Sequence, residues 1–185
     1  MAESTIFRTS NNVETIKKKG AATTSVGICW GQSIVWARRQ KDKGGELDKT
    51  DASQIMSNGA ALQFLYQYTE TRGALTFTRW QAALSKYDFG LHKYEWNPST
   101  YTATGALTWI KENLKDEYIQ INCNLSFGRH AMGLYFADAE SYFFDANYGL
   151  RKFDTGDECL NSTSLYLTTD GFDPAAYLVA LNLKK

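Results

Sequence analysis

The sequence predicts an α+β domain in which N-terminal helices pack on a C-terminal antiparallel sheet. Three observations carry that reading. Before about residue 115, apolar residues recur at helical spacing. From Tyr118 onward they alternate with polar residues or form short apolar runs bounded by turn residues, as strands do. The chain has 185 residues and is 43% apolar, enough for one buried core and too little for two comfortable domains. Helices first and strands second predict two layers.

The elements follow in order. Residues 1–24 are rich in Ser, Thr, Asn and Lys and read as a flexible N-terminal arm, leaving residues 25–185 as the domain. A first helix is expected from about Cys29 to Lys41, with Cys29, Ser33 and Trp36 on one stripe and a break at Gly44-Gly45. A second runs from Asp51 to about Arg72, with Ile55, Leu62, Tyr66 and Thr69 on one line and Gly73 as its stop. Phe77, Trp80, Leu84 and Tyr87 mark a short third helix, and a fourth begins at Thr104 and turns Leu107, Ile110 and Leu114 inward. Strands are expected over 118–126, 130–136, 141–145, 150–154 and 176–183, with a helix of weak propensity from Asp157 to Thr169.

Composition narrows the function. Twenty basic and twenty acidic residues cancel, so no overall field draws the chain to nucleic acid or anionic lipid. No apolar run reaches membrane-spanning length, and the first residues lack the apolar centre of a cleavable signal peptide, so a soluble protein is expected. Three cysteines are an odd count in a chain too large to depend on disulfides, which favours a reducing compartment. Two histidines and no close cysteine pair write no zinc site, so no metal is expected. The absence of heptads gives no reason to expect more than a monomer.

Cys29 is the most informative residue. It sits in Gly27-Ile28-Cys29-Trp30-Gly31-Gln32-Ser33, at what reads as the first turn of a helix. Unpaired N–H groups and a partial positive charge there favour thiolate over thiol. The competing reading is a packed core cysteine. Cys123 fits that second description, because it alternates with polar neighbours on the apolar side of a strand. Cys159 is flanked by acids that work against a thiolate.

A nucleophile needs a base. His130, at a glycine-bounded turn running into an apolar strand, is the better of two histidines, whereas His92 lies in an aromatic loop and reads as structural or as a rim contact. The run from Arg129 to Gly149 looks like a hairpin turning between Asp138 and Ala139. In that register Met132 opposes Asp145 and His130 opposes Asn147, so His130, Asp145 and Asn147 share a face. An acid or amide beside the imidazole would fix its tautomer, and either Asp145 or Asn147 can serve. Gln32 reads as part of a polar helix turn or as a residue lining the site.

The blocks at 27–36, 129–136 and 143–149 together resemble the YopT/AvrPphB-type cysteine proteases, papain-like effectors of bacterial pathogens and symbionts. The resemblance implies a papain-like fold, with Cys29 as nucleophile, His130 as general base and Asp145 as orienting acid. It also implies no cofactor, a host protein substrate, and delivery into a host cell cytosol by a non-classical route. Papain-like enzymes take part of the oxyanion hole from an Asn or Gln shortly before the cysteine, where this chain has Thr23 and Thr24. The Cys29 N–H can supply one donor, and a threonine hydroxyl or another main-chain N–H the second. A cysteine endopeptidase is the first reading. The same chemistry on another amide (a deamidase, a transglutaminase-like enzyme or an amidase) and a decayed, host-protein-binding site are the alternatives.

Overall fold

A computed structural model describes residues 4–9, 28–71, 84–85, 92–96, 102–126, 128–171 and 178–182. In chain order the elements are β1 (Ser4–Phe7), α1 (Cys29–Asp42), α2 (Lys49–Thr71), β2 (His92–Trp96), α3 (Ala103–Asn113), β3 (Tyr118–Leu125), β4 (Gly128–Tyr135), β5 (Ser141–Asp145), β6 (Gly149–Phe153), α4 (Gly156–Thr169) and β7 (Leu178–Asn182). The strands form a seven-stranded sheet in the order β1-β6-β5-β4-β3-β7-β2. Every pairing is antiparallel. Among the described residues no helix is long and apolar enough to cross a membrane.

α1 is a central helix, and its sequence explains why. Ile34, Val35, Trp36 and Ala37 are all buried, so more than one stripe must be covered, as in helices enclosed on several sides. On one side Trp36 stacks on Phe144 of β5 at 5.6 Å and meets Tyr118 of β3 edge-on at 6.0 Å. Gly133 of β4 makes room for that indole, since a Cβ there would run into the Trp36 ring. On the other side α1 crosses α2 where Gly31 meets Gly59, and a Cβ on either would strike the opposite helix. The crossing therefore places the start of α1 tightly against a second element.

The end of α1 is tied down by charge. The Asp51 carboxylate, with no exposed surface, accepts hydrogen bonds from Arg39 Nε at 2.9 Å, Lys43 Nζ at 2.8 Å and the Asp48 N–H at 3.0 Å. Burial works to raise its pKa, but these donors prevail and hold it at about 2.

The second face of the sheet carries α3 and α4. Thr102 caps α3 by accepting from the Gly105 N–H, and Thr155 caps α4 by accepting from the Glu158 N–H. Leu107 and Ile110 of α3 and Cys159 and Leu167 of α4 pack with Ile119, Ile121, Met132, Leu134 and Phe143 from the sheet. The domain thus has three layers, where the order of elements suggested two. The reason is legible in β5: all five residues are buried, Tyr142 and Phe144 toward α1 and Phe143 toward α4.

Two further expectations change. Residues 4–9, assigned by composition to a flexible arm over 1–24, include an edge strand paired with β6, because Phe7 is buried and Thr9 bonds to the β5–β6 turn. One inward-facing aromatic is too short a pattern to outweigh the polar composition around it. His92–Trp96, read as a loop, is the edge strand β2, fully paired with β7. The short helix expected over 77–87 lies almost wholly outside the described residues, and of it Leu84 and Ser85 are helical.

Gly133→Ala is expected to destabilise the fold by about 1–3 kcal/mol, the cost of overpacking, read as a lower urea midpoint at unchanged slope. The folded pKa of Asp51 lies below that of a free aspartate, so its contribution to stability is present above about pH 4 and is lost as pH falls toward 2. Denaturation of Asp51→Asn across the acid range should show that dependence flattened.

Candidate active site

The site begins at the mouth of α1. Ile28 is the N-cap, and no side chain caps the helix there. The Gln32 N–H bonds to the Ile28 carbonyl at 3.0 Å, while the Gly31 N–H donates across the helix crossing to Gln63 Oε1 at 3.1 Å. From the sheet side, Gln120 Nε2 of β3 donates to the Trp30 carbonyl at 3.0 Å and to Ser33 Oγ at 2.5 Å. Ser33 Oγ in turn donates to the Trp30 carbonyl at 2.9 Å. The first turn is thereby gripped by α2 and β3 together. Cys29 lies in it, 5% exposed, in the part of a helix where backbone donors and the macrodipole favour an anion.

The imidazole and the carboxylate come from the hairpin. β4 and β5 pair with Met132 opposite Asp145, the expected register. The ladder ends at that pair, and Asn147, expected opposite His130, falls in the turn beyond it. His130 Nε2 is 2.8 Å from Asp145 Oδ2, and both side chains are 1% exposed. Cys29 also lies close enough to His130 to act on the charge of its imidazole. Burial pushes the imidazole pKa down, but the bonds to Asp145 and to the Cys29 sulfur outweigh it and lift the pKa to about 10. The arrangement favours the imidazolium form of His130.

Asp145 is itself held from several elements. Its Oδ2 also accepts from the Tyr166 hydroxyl of α4 at 2.8 Å, and its Oδ1 accepts from the Asn147 N–H at 2.6 Å. The Asp145 carbonyl accepts from the Tyr148 N–H at 3.1 Å and from Thr9 Oγ1 at 3.2 Å, and the hydroxyl of Thr9 also reaches the Ala146 carbonyl at 3.0 Å. Burial and the charge of Asp145 raise the Tyr166 pKa, so its phenol remains a donor.

The structure therefore brings Cys29, His130 and Asp145 together. Asn147 supports Asp145 through its backbone N–H, and Asp145 occupies the position beside the imidazole that either residue could have taken. Gln32 does not form a solvated turn: it is buried where α1 crosses α2, against Gly59. Thr23 and Thr24 lie outside the described residues. Cys123 is buried in the core, where desolvation and the nearby Cys29 and Asp145 push its thiol up to about 12. Cys159 is likewise fully buried.

Sequence reasoning missed Tyr166, Gln120, Gln63 and Thr9. A signal existed for Gln120, whose polar side of β3 faces a helix and therefore demands a partner. Nothing local marks Tyr166, which lies on a different element from the carboxylate it supports.

No protein-family model matches the chain, and no curated protein matches it by sequence. Solved structures do match its fold. The avirulence protein AvrPphB of Pseudomonas superposes with a TM-score of 0.64 at 13% identity, over 84% of this chain and 90% of that one. The ubiquitin-specific protease of murine cytomegalovirus tegument protein M48, solved with a ubiquitin-based suicide substrate, gives 0.62 at 16% identity, over 98% and 85%. PatoxP, a cysteine protease-like domain of the Photorhabdus asymbiotica toxin PaTox, gives 0.51 at 15% identity, over 96% of this chain and 52% of that one. The chain thus has the papain-like cysteine protease fold expected from its motifs.

Asp145 and Cys29 make separable contributions to the His130 pKa. NMR titration of the imidazole should give a pKa raised above about 6.5 in the wild type, a lower one in Cys29→Ala, and a lower one again in Asp145→Asn, since the Asp145 bond is the larger of the two raising contributions.

Proposed function

We propose that this protein is a cysteine endopeptidase in which Cys29 is the nucleophile, His130 the general base and acid, and Asp145 the group that orients and charges the imidazole. The observation that carries this reading is the 2.8 Å contact between Asp145 Oδ2 and His130 Nε2, with a cysteine at a helix mouth close enough to act on the same imidazole. The matched fold of cysteine proteases supports it.

The chemistry follows from the geometry. The Cys29 thiolate attacks the carbonyl carbon of a peptide bond, and the π electrons move to oxygen. The Cys29 N–H donates to that oxyanion, with a Thr23 or Thr24 hydroxyl or a further main-chain N–H as second donor. As the tetrahedral intermediate collapses, the C–N bond breaks and the imidazolium of His130 gives its proton to the departing amine. A water molecule, deprotonated by the now neutral imidazole, then attacks the thioester carbon and releases the carboxylate product and Cys29. None of these steps requires a cofactor.

A protein of a host cell is the proposed substrate, and the chain is proposed to reach the host cytosol as a secreted effector and to act there as a monomer. The avirulence protein and the toxin domain among the structural neighbours support the effector role, and the neighbour bound to a ubiquitin-based inhibitor supports a protein substrate.

Incubating the protein with a host lysate should generate new N-termini that are absent with Cys29→Ala. A glutamine-to-glutamate mass change without chain cleavage would instead identify a deamidase, and no chemical change would identify a binder. Once a substrate is in hand, Asp145→Asn should lower kcat/KM by ~10²–10⁴-fold through loss of the imidazole's orientation. Tyr166→Phe removes one hydrogen bond to Asp145, and should lower it by only about 2–10-fold.

A further inference from the structure

Proximity to His130 does not by itself orient Asp145. Its Oδ2 meets both the imidazole and the Tyr166 hydroxyl, so those two bonds converge on one oxygen. Rotation of a carboxylate about its Cβ–Cγ bond is soft, and a donor on the other oxygen is what stops it. Among the described residues that donor is the Asn147 N–H, 2.6 Å from Oδ1. The orientation of the carboxylate therefore depends on the plane of the peptide group joining Ala146 to Asn147.

A trans peptide group is planar, with its C=O and N–H pointing in opposite directions. Whatever holds the Ala146 carbonyl thus also aims the Asn147 N–H. The Thr9 hydroxyl holds it: Oγ1 donates to the Ala146 carbonyl at 3.0 Å and shares its proton with the Asp145 carbonyl at 3.2 Å, both in buried contacts. A donor on the carbonyl also polarises the amide and strengthens its N–H toward an acceptor. Thr9 has little room to leave this position. β1 pairs with β6 just before it, and Gly149, at φ +104°, lies so close to the N-terminal segment that a Cβ there would be 2.0 Å from the Phe7 carbonyl oxygen and 2.6 Å from the Arg8 Cα.

We propose that Thr9 is a positioning residue for the chemistry at Cys29: its hydroxyl sets the 146–147 peptide, whose N–H fixes the Asp145 carboxylate against His130. The inference rests on the reading of Cys29, His130 and Asp145 as nucleophile, base and orienting acid. It makes the N-terminal strand part of the support of the site, with one hydroxyl as the connection. A residue that only fills space would act through its methyl group instead. Thr9→Val keeps the branched shape and loses the donor, whereas Thr9→Ser keeps the donor and loses the methyl, so the two roles give opposite patterns.

Two measurements on the full chain, neither needing a substrate, read the effect. In amide-proton exchange, Thr9→Val should lower the protection of the Asn147 N–H about 2–10-fold, and Thr9→Ser should retain most of it. In alkylation of Cys29 by iodoacetamide at neutral pH, located by peptide mass, Thr9→Val should slow the reaction about 2–10-fold and Thr9→Ser should restore most of the rate. Unchanged Asn147 protection or an unchanged Cys29 rate in Thr9→Val overturns the proposal, as does a loss in Thr9→Ser equal to that in Thr9→Val. Should Thr9→Val also release β1, seen at the Phe7 amide, Thr9→Ser decides alone: protection and rate both retained support the proposal, and either one lost overturns it. The reading of the site is tested apart from this. If His130→Ala leaves the Cys29 rate at its wild-type value, that reading fails, while Asn147 exchange still decides whether Thr9 holds the peptide.

Discussion

The hydrogen bond between His130 Nε2 and Asp145 Oδ2 is the contact on which the arrangement depends. It joins two buried polar side chains on adjacent strands, and it exists only because β4 and β5 pair with Met132 opposite Asp145. A slip of one residue would send the carboxylate to the opposite face of the sheet, toward α1, and leave the imidazole buried without it. The register is protected by residues remote from the chemistry. Phe143 and Phe144 fill opposite faces of β5, so any slip would exchange two differently shaped packing sites.

The site as a whole spans the layers of the fold. Even-numbered residues of β4 face α3 and α4, where Met132 and Leu134 pack, whereas the cysteine belongs to the helix on the other face. His130, near the start of β4, turns Nε2 to the carboxylate and lies close enough to Cys29 at the helix mouth to interact with it. The imidazole connects the two cores, and its orientation depends on where α1 sits. Gly133, Gly31 and Gly59 fix that position by what they lack, because each leaves space that a neighbouring helix or indole fills. Gln63 and Gln120 then grip the first turn through its backbone and Ser33.

Burying a carboxylate requires donors, and Asp145 has three: the imidazole, the Tyr166 hydroxyl and the Asn147 N–H. They come from β4, α4 and the β5–β6 turn, so the polar centre is a meeting point of elements rather than a feature of one strand. Thr9 adds β1 to the set by bonding the carbonyls of Asp145 and Ala146. The short edge strand therefore contributes to the support of the site as well as to the sheet.

Much of this was legible in the amino-acid order. Period-two and helical spacings located most elements, and the Gly44-Gly45 break, the hairpin turn and the 132–145 register follow from local chemistry that acts over a few residues. Cys29, His130 and Asp145 could be picked out because reactive residue types are scarce and their neighbours restrict them. The edge strands β1 and β2 were hidden, since each depends on a partner distant in sequence to satisfy its backbone. Tertiary structure alone decided the third layer, the burial of Gln32 in a helix crossing, and the part played by Tyr166 and Gln120. The reason is physical: spacing along a chain encodes which side of an element is apolar, but which groups satisfy a buried charge is settled only when separate elements pack together.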